Sequence, residues 1–280
     1  MKLLNGKELS DKLKIEIKFE VHQMKDNNKN ICLAVIQVGD DPASSVYVGN
    51  KEKACEYCGI ESRVVKLNKN ISEEGLISII YLLNYTEFIN GILVQLPLPE
   101  HINEQNVLQA IAPEKDVDGF HELNVGKLTL CKDVLAPCTA HGIVELLIEN
   151  GIEVSGKNCV VVGRSNIVGK PTAMMLLQLD GTVTICHSKT KDLKKICKEA
   201  DILVCAIGKP KFFNKEYIKE GAVVVDVGIH RTENGLCGDV DFDDVKDMVS
   251  AITPVPRGVG AMTVAMLMKN CVEAAKAQYK

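Results

Sequence analysis

The feature that most constrains this chain is the alternation of continuous apolar runs with segments of helical periodicity. Residues 31–38 form an apolar run that ends at Gly39, and residues 91–96 form another. Such runs are typical of strands buried on both faces of a sheet. Residues 8–24 carry apolar side chains at helical spacing, and residues 44–58 also have a helical pattern. Strands that alternate with helices predict parallel βαβ units and therefore an α/β fold.

The same pattern continues through the rest of the chain. Further strands are predicted at residues 62–67, 159–162, 183–186, 202–206, 223–227 and 249–252, and helices at about 72–84, 169–178, 192–199, 242–248 and 260–278. Residues 113–139 break the pattern with prolines, glycines and charges, which predicts a long functional loop that crosses between domains. We therefore expect two α/β domains: residues 1–139, with a C-terminal helix at about 262–280 that packs back on them, and residues 140–261.

Charge and cysteine usage exclude several classes of protein. The net charge of −4 provides no basic surface for nucleic acid or membranes, and no apolar run approaches the ~18 residues of a membrane span. The 11 cysteines are irregularly spaced and no export signal precedes them, so we expect reduced thiols in the cytoplasm. Cys55 and Cys58 form a C-x-x-C pair without a second ligand pair, so no metal site is predicted.

A predicted strand, a glycine-containing loop and a helix start follow one another at residues 158–171. Gly163 and Gly169 would let the backbone approach a pyrophosphate at the helix N-terminus, and Arg164 and Ser165 lie between them. The spacing differs from G-x-G-x-x-G, and by itself it is equally consistent with a simple strand–helix turn. The residues that follow the next predicted strands favour a dinucleotide site over a simple turn.

The later strand ends carry groups suited to a dinucleotide. Ser188 follows the predicted strand 183–186 in the sequence Ser-Lys-Thr, with no acidic residue before Asp192. NAD sites place Asp or Glu there, so this pattern favours NADP, although Ser188 could instead cap a helix. Gly208 and Ile229 follow the next two strands, where a dinucleotide would cross the sheet edge.

The catalytic candidates lie in the first domain. Tyr47 and Lys51 are four residues apart on a predicted helix and therefore share a face, which is also common for a simple surface pair. A lysine can transfer protons when its pKa is brought towards neutrality. Gln95 ends a buried strand, and Asp118 lies in a loop where its carboxylate could accept two N–H bonds from a flat heterocycle. Because Lys51 precedes Gly163, the order excludes the short-chain dehydrogenases.

Together these segments closely resemble the bifunctional methylenetetrahydrofolate dehydrogenase/cyclohydrolase family over essentially the whole chain. The strings that carry the resemblance are residues 38–48 with Lys51, 94–99, 115–121, 137–139, 163–165, 168–171 and 253–256. The resemblance implies a folate-binding catalytic domain, an NADP-binding Rossmann-like domain, an active site in the cleft between them, and a homodimer. It also implies NADP-dependent oxidation of methylenetetrahydrofolate, hydrolysis of the methenyl product to 10-formyltetrahydrofolate, and a place in one-carbon metabolism and purine biosynthesis.

The resemblance also implies roles for individual residues. Lys51 would transfer protons in hydrolysis, Gln95 would position it, Tyr47 would stack on the folate, and Asp118 would anchor the pterin. For the cofactor, the resemblance assigns Arg164 and Ser188 to the 2′-phosphate. For the substrate, it adds Pro256.

Three positions depart from the family pattern. The family reads Pro-Val-Pro-Gly-Gly-Val-Gly-Pro near its end, whereas this chain has Arg257 for the first of those glycines and Ala261 for the final proline. If position 257 has a positive φ, arginine is strained there. His230 stands where the family usually has asparagine. Two alternatives therefore stay open: a dehydrogenase alone or one that prefers NAD, and a folate- or dinucleotide-binding protein with little turnover.

Overall fold

The computed structural model describes residues 1–233 and 235–279. They form two compact units, which we name by their main sheets. The six-strand unit comprises Met1–Ser10 and Thr139–Thr263, and the three-strand unit comprises Asp11–Cys138 and Val264–Lys280.

Both units are built from parallel strands and helices. The strands are β1 (Lys2–Leu3), β2 (Cys32–Val38), β3 (Glu61–Leu67), β4 (Gly91–Val94), β5 (Asn158–Val162), β6 (Thr182–Cys186), β7 (Ile202–Cys205), β8 (Val223–Asp226), β9 (His230–Thr232), β10 (Gly235–Cys237) and β11 (Ala251–Ile252). The helices are α1 (Gly6–Asp26), α2 (Pro42–Cys58), α3 (Glu73–Asn84), α4 (Glu104–Ala110), α5 (Glu122–Thr129), α6 (Cys138–Glu149), α7 (Gly169–Gln178), α8 (Leu193–Cys197), α9 (Phe242–Val245) and α10 (Val259–Gln278). The predicted α/β class is confirmed.

The three-strand unit has the parallel order β3-β2-β4. All seven residues of β2 are buried, which is why this central strand is a continuous apolar run with a single amide, Gln37. The two helices that follow β2 and β3 begin at side-chain caps: Asp41 accepts from Ser44 N at 2.7 Å, and Ser72 accepts from Gly75 N at 3.1 Å. As predicted, α2 ends at Gly59, whose φ of 80° satisfies the left-handed C-cap.

The six-strand unit contains the parallel order β1-β11-β8-β7-β5-β6. Because β6 and β7 lie on opposite sides of β5, the chain leaves β5 in one direction and then returns to the other side. Such a reversal opens a crevice at the carboxyl ends of the strands, where open α/β sheets bind ligands. The core consists of the buried strand side chains packed against Phe213, which is fully buried.

Two predictions about the chain's course were incomplete. The predicted loop 113–139 contains α5, which begins where His121 Nδ1 accepts from Leu123 N at 3.1 Å, and it also holds the start of α6. The strand β1 escaped prediction because two exposed residues carry no periodic pattern. Since β1 pairs with β11, Met1–Ser10 groups with the six-strand unit and not with residues 11–138.

Candidate active site

A lysine and a glutamine from different elements meet in the three-strand unit. Lys51, in the middle of α2, donates from Nζ to Oε1 of Gln95 at 3.0 Å. Gln95 follows β4 directly, and its backbone N–H donates to Ile36 O at 2.9 Å, so the sheet fixes its position. Its Nε2 donates to Leu96 O at 2.6 Å. With the amide nitrogen engaged, the amide oxygen is the group that holds Lys51.

Tyr47 lies one turn before Lys51 on α2. The two residues are four positions apart, so they share a helix face, as the sequence predicted. The Tyr47 side chain is 51% exposed, whereas the adjacent Val48 is buried against the unit. Its ring is therefore accessible to a flat ligand.

Asp118 completes this group of side chains. The residue as a whole is half-buried, but its carboxyl group is buried, and this burial raises the pKa of the carboxyl group to about 6. The nearby positive charge of Lys51 opposes the rise, and the negative charge of Asp116 adds to it. The nearby Cys138 thiol, which donates to Val117 O at 3.3 Å, also lowers the pKa of this carboxyl group. The structure therefore brings Lys51, Gln95 and Asp118 together.

A second aspartate, which the sequence reasoning did not single out, shapes the loop that carries Asp118. The carboxylate of Asp116 accepts from Gly119 N at 3.1 Å, from His121 N at 2.8 Å and from Asn124 Nδ2 at 2.9 Å. Gly119 has a φ of +75°, and a Cβ there would lie 2.6 Å from Leu135 O. Asp116 was detectable only as the partner of Asp118 in an Asp-x-Asp sequence.

The loop between β5 and α7 in the six-strand unit has the form expected of a phosphate cradle. Gly163 has a φ of +138°, and a Cβ on it would lie 3.0 Å from Ala206 C. A Cβ on Gly169 would lie 2.5 Å from Gly163 C, so both positions require glycine. The Ser165 hydroxyl accepts from the N–H groups of Val168 and Gly169 at 3.2 and 3.3 Å, which closes the loop onto the helix start.

Arg164 and Ser188 follow adjacent strands at the same sheet edge. Val162, the last residue of β5, pairs with Cys186, the last of β6. Both Arg164 and Ser188 are exposed. Ser188 does not cap a helix, because α8 begins at Leu193 after Asp192. The glycine cradle, the exposed arginine and the absence of an acid between residues 186 and 192 fit the phosphates of NADP.

Gly208 and Ile229 lie after β7 and β8 at that same edge. Gly208 has a φ of +68°, and Ile229 is 46% exposed. The backbone N–H groups of residues 207–209 all donate to the carboxylate of Asp239, a buried residue that the sequence reasoning missed. No sequence motif marks it, since it follows a short hairpin rather than a strand of the main sheet.

Pro256 and Arg257 lie between β11 and α10, and both are exposed. Arg257 has a φ of +82°, the left-handed region that favours glycine, so the expected strain at this departure is present. Of the other two departures, Ala261 lies in the first turn of α10, and His230 donates from Nε2 to Asp239 Oδ1 at 2.7 Å.

The C-x-x-C pair follows Lys51 on the same helix, α2. Cys55 and Cys58 are buried near the end of α2, and burial raises their pKa values to about 12 and 11. Within residues 1–233 and 235–279, no three His, Cys, Asp or Glu side chains are grouped to hold a metal ion. Over the same residues, no helix combines the length and apolarity needed to cross a membrane.

Comparison with known proteins matches both halves of the chain to one family. Residues 4–118 match the catalytic domain of tetrahydrofolate dehydrogenase/cyclohydrolase, and residues 137–279 match its NAD(P)-binding domain. The chain is 61% identical over 275 residues to the bifunctional protein FolD of Lachnoclostridium phytofermentans, with 98% of each chain covered.

Solved structures agree with this match. The bifunctional FolD methylenetetrahydrofolate dehydrogenase/cyclohydrolase of Campylobacter jejuni superimposes with a TM-score of 0.97 at 49% identity, covering 99% of both chains. The Trypanosoma brucei enzyme, solved with NADP cofactor and an inhibitor, gives a TM-score of 0.94 at 37% identity and covers 99% of this chain and 98% of its own. On these matches, the chain belongs to the tetrahydrofolate dehydrogenase/cyclohydrolase family.

Proposed function

We propose that this chain oxidises 5,10-methylenetetrahydrofolate to 5,10-methenyltetrahydrofolate with NADP and then hydrolyses that product to 10-formyltetrahydrofolate. Membership of a family whose members are named bifunctional supports both reactions. Within the chain, the observation that carries the proposal is the 3.0 Å hydrogen bond between Lys51 and Gln95 beside a carboxyl group of raised pKa.

In the hydrolytic step, Lys51 is the proposed proton carrier. The methenyl substrate is a cation, so a neutral amine faces it at lower electrostatic cost than an ammonium group. Neutral Lys51 takes one proton from the water that attacks the methenyl carbon. The same proton then passes to the ring nitrogen as its bond to that carbon breaks, and the remaining hydroxyl proton leaves to solvent as the formyl group forms. Atoms and charge balance, with one proton released for each turnover.

The neighbouring side chains are assigned to holding the reactants. Gln95 keeps the amine of Lys51 in place through its oxygen, since its nitrogen is engaged by Leu96 O. The exposed ring of Tyr47 is available to stack on the flat pterin. The ionised Asp118 carboxylate would accept N–H bonds from that ring system. Pro256 is assigned to the substrate on the resemblance alone.

The six-strand unit is assigned to the cofactor. When bound, NADP supplies the acceptor for the hydride that leaves the methylene carbon. The loop of Gly163, Ser165 and Gly169 would hold the pyrophosphate at the start of α7. In the same way, Arg164 and Ser188 would bind the 2′-phosphate, because both are exposed at the ends of neighbouring strands.

Gly208 and Ile229 are assigned to the rest of the dinucleotide because they follow β7 and β8. With these assignments, the folate-binding catalytic domain would comprise residues 1–139 and 262–280, and the NADP-binding domain residues 140–261. The short segment Met1–Ser10 groups structurally with the second of these.

The proposal extends to the protein's setting. We assign it to the cytoplasm as a homodimer that supplies formyl groups for purine biosynthesis. An interface is supported by exposed apolar side chains concentrated in one stretch of the three-strand unit: Tyr81, Leu82, Tyr85 and Phe88. Light scattering after size-exclusion chromatography tests this assignment: the wild type should have twice the chain mass, and Leu82→Glu should shift it towards the monomer.

The hydrolytic assignment is tested by comparing Lys51→Met with the wild type. Methenyltetrahydrofolate is supplied directly, its decay is followed by absorbance, and NADP binding is measured separately by calorimetry. We expect hydrolysis at the uncatalysed rate and an unchanged Kd for NADP. Lys53→Met, on the same helix but exposed, is the matched control and should hydrolyse normally. Normal hydrolysis by Lys51→Met would overturn the role of Lys51.

A further inference from the structure

One buried carboxylate binds an unusual number of donors at the cofactor edge of the six-strand unit. Asp239 has no exposed surface. Its Oδ2 accepts from the N–H groups of Ile207 and Gly208 at 2.7 and 3.0 Å. Its Oδ1 accepts from Lys209 N at 2.9 Å and from His230 Nε2 at 2.7 Å. Three consecutive backbone amides and one imidazole therefore converge on a single side chain.

A second buried aspartate holds the first in place. Asp226, the last residue of β8, accepts from Gly228 N at 3.0 Å and Asp239 N at 2.8 Å through Oδ1, and from Val240 N at 2.9 Å through Oδ2. The backbone of Asp239 is thus fixed by Asp226, while its side chain fixes residues 207–209. The two carboxylates connect the ends of β7 and β8.

Glycines at two positions make room for this arrangement. A Cβ on Gly228 would overlap the carboxyl group of Asp239, and a Cβ on Gly238 would overlap that of Asp226. Each glycine lies close in sequence to one aspartate and packs against the other. The close packing leaves residues 207–209 little freedom to choose another conformation.

The position of this cluster in the sheet indicates which part of a dinucleotide it serves. In the order β8-β7-β5-β6, the loop of Gly163 follows the strand at which the chain reverses direction. If Ser188, after β6, reads the adenosine ribose, the dinucleotide runs from there across the end of β5 towards β7 and β8. Residues 207–209 and Ile229 then lie under the nicotinamide half.

We infer that Asp239 is a positioning residue for the nicotinamide half of the cofactor, acting through the backbone of residues 207–209, with His230 as its fourth donor. The inference rests on the proposed NADP site. Among side chains of this size, only that of aspartate has two oxygen atoms that both accept hydrogen bonds. The amide nitrogen of an asparagine would face two backbone N–H donors, those of Ile207 and Gly208, in one orientation, and the N–H of Lys209 in the other. His230, one of the three departures from the family pattern, thereby has Asp239 as its hydrogen-bond partner.

The test measures binding of three ligands to Asp239→Asn by calorimetry: NADP, NAD and adenosine 2′,5′-bisphosphate, which is the adenosine end alone. We expect Kd for NADP and for NAD to rise alike by about tenfold or more, as for a lost hydrogen bond to a charged group. Kd for the bisphosphate should not change. Unchanged binding of NADP, or equal weakening of all three ligands, would overturn the inference.

Two His230 variants keep the inference testable if Asp239→Asn does not fold. His230→Leu removes a donor from Asp239 and should weaken NADP by a few-fold, whereas His230→Asn retains a donor and should restore much of the affinity. Adenosine 2′,5′-bisphosphate should bind equally to the two variants. If both variants bind NADP as the wild type does, His230 has no such role and the inference fails for it.

The matched control is Asp243→Asn, four residues after Asp239. Asp243 is exposed and pairs only at the surface with Lys246, at 2.9 Å, so its loss should leave all three Kd values unchanged. Binding by the wild type distinguishes a failure of the proposed function from a failure of this inference. A wild type that binds neither NADP nor NAD contradicts the proposed function, whereas a wild type that binds both while the Asp239 and His230 variants do so equally well contradicts only this inference.

Discussion

Lys51 on α2 and Gln95 after β4 are joined by a 3.0 Å hydrogen bond in which the lysine donates to the amide oxygen. An uncharged amide oxygen can accept a hydrogen bond from either an amine or an ammonium group. A carboxylate at the same place would stabilise the ammonium form. An amide at this position is therefore compatible with the proton transfer proposed for Lys51.

Gln95→Glu should shift the pH profile of hydrolysis. A carboxylate next to Nζ should raise the pKa of Lys51, so that hydrolysis requires a pH higher by ~1–3 units. Gln95→Leu removes the positioning contact without adding charge, and we expect a lower rate with no such shift. The measurement is kcat/KM for methenyltetrahydrofolate against pH.

Gln105→Glu places the same charge at an exposed position of α4 and serves as the control for that experiment. It should leave the profile where it is. A Gln95→Glu profile identical to that of the wild type would show that Gln95 does not control the protonation of Lys51.

From the raised pKa of Asp118 we expect the dehydrogenase activity to depend on pH. Because the pKa of its carboxyl group is about 6 and the ionised form is proposed to accept the pterin N–H groups, kcat/KM should rise with pH through about 6 and level off above it. Asp118→Asn should have much lower kcat/KM and lack this rise. A wild-type profile that is flat between pH 5 and pH 7 would contradict the assignment.

The same carboxyl group predicts a change in stability. The raised pKa means that, between the ordinary value of 3.8 and about 6, the folded state holds a proton that the unfolded state has lost. The free energy of unfolding should therefore fall as pH rises through that window, and the contribution is fully present below it. Urea midpoints of the wild type and Asp118→Asn at several pH values measure this: the midpoint of the variant relative to the wild type should increase from pH 4 to pH 6.

Arg164 is expected to select the cofactor. Arg164→Ala should raise Kd for NADP by about tenfold or more, while Kd for NAD changes little, because a guanidinium forms its strong contacts with the 2′-phosphate that NAD lacks. Lys194→Ala removes a positive charge that forms a surface pair with Glu216 and should affect neither cofactor. Equal weakening of NADP and NAD would place Arg164 elsewhere on the dinucleotide.

At position 257 the usual stability order of glycine and alanine variants should be reversed. At most positions Gly is less stabilising than Ala by about 0.5–1 kcal/mol. At a φ of +82° alanine is strained by about 1–2 kcal/mol, so Arg257→Gly should be more stable than Arg257→Ala. Denaturant unfolding measures the difference. The same pair at Arg231, on β9, is the control and should show the usual order.

Much of the fold was predictable because its signals are local. The continuous apolar run of β2, the cap at Ser72 and the glycine after α2 all act within a few residues, and the predicted elements agree with the structure there. β1 was not predictable in this way, since its pairing with β11 joins residues almost 250 positions apart. The helix α5 was hidden because its start depends on the His121 ring, a rare cap.

The site residues show the same difference between local signals, which the sequence reveals, and long-range contacts, which it does not. Lys51, Gln95 and Asp118 were predictable as candidates from their strand and helix positions and from the family resemblance, but their proximity is a tertiary fact. Asp116 and Asp239 escaped prediction because most of their partners are backbone N–H groups, which leave no trace in the sequence. Buried carboxylates that organise loops are therefore visible only once the chain is folded.

The proposed bifunctional activity is tested by a spectrophotometric assay of the purified protein with methylenetetrahydrofolate, run first with NADP⁺ and then with NAD⁺. Reduced cofactor is followed directly, methenyl product is measured after acid conversion, and methenyltetrahydrofolate is supplied separately to measure hydrolysis. We expect turnover that prefers NADP⁺, together with hydrolysis faster than the uncatalysed rate. Folded protein that binds folate or dinucleotide but shows no turnover with either cofactor would contradict the proposed activity.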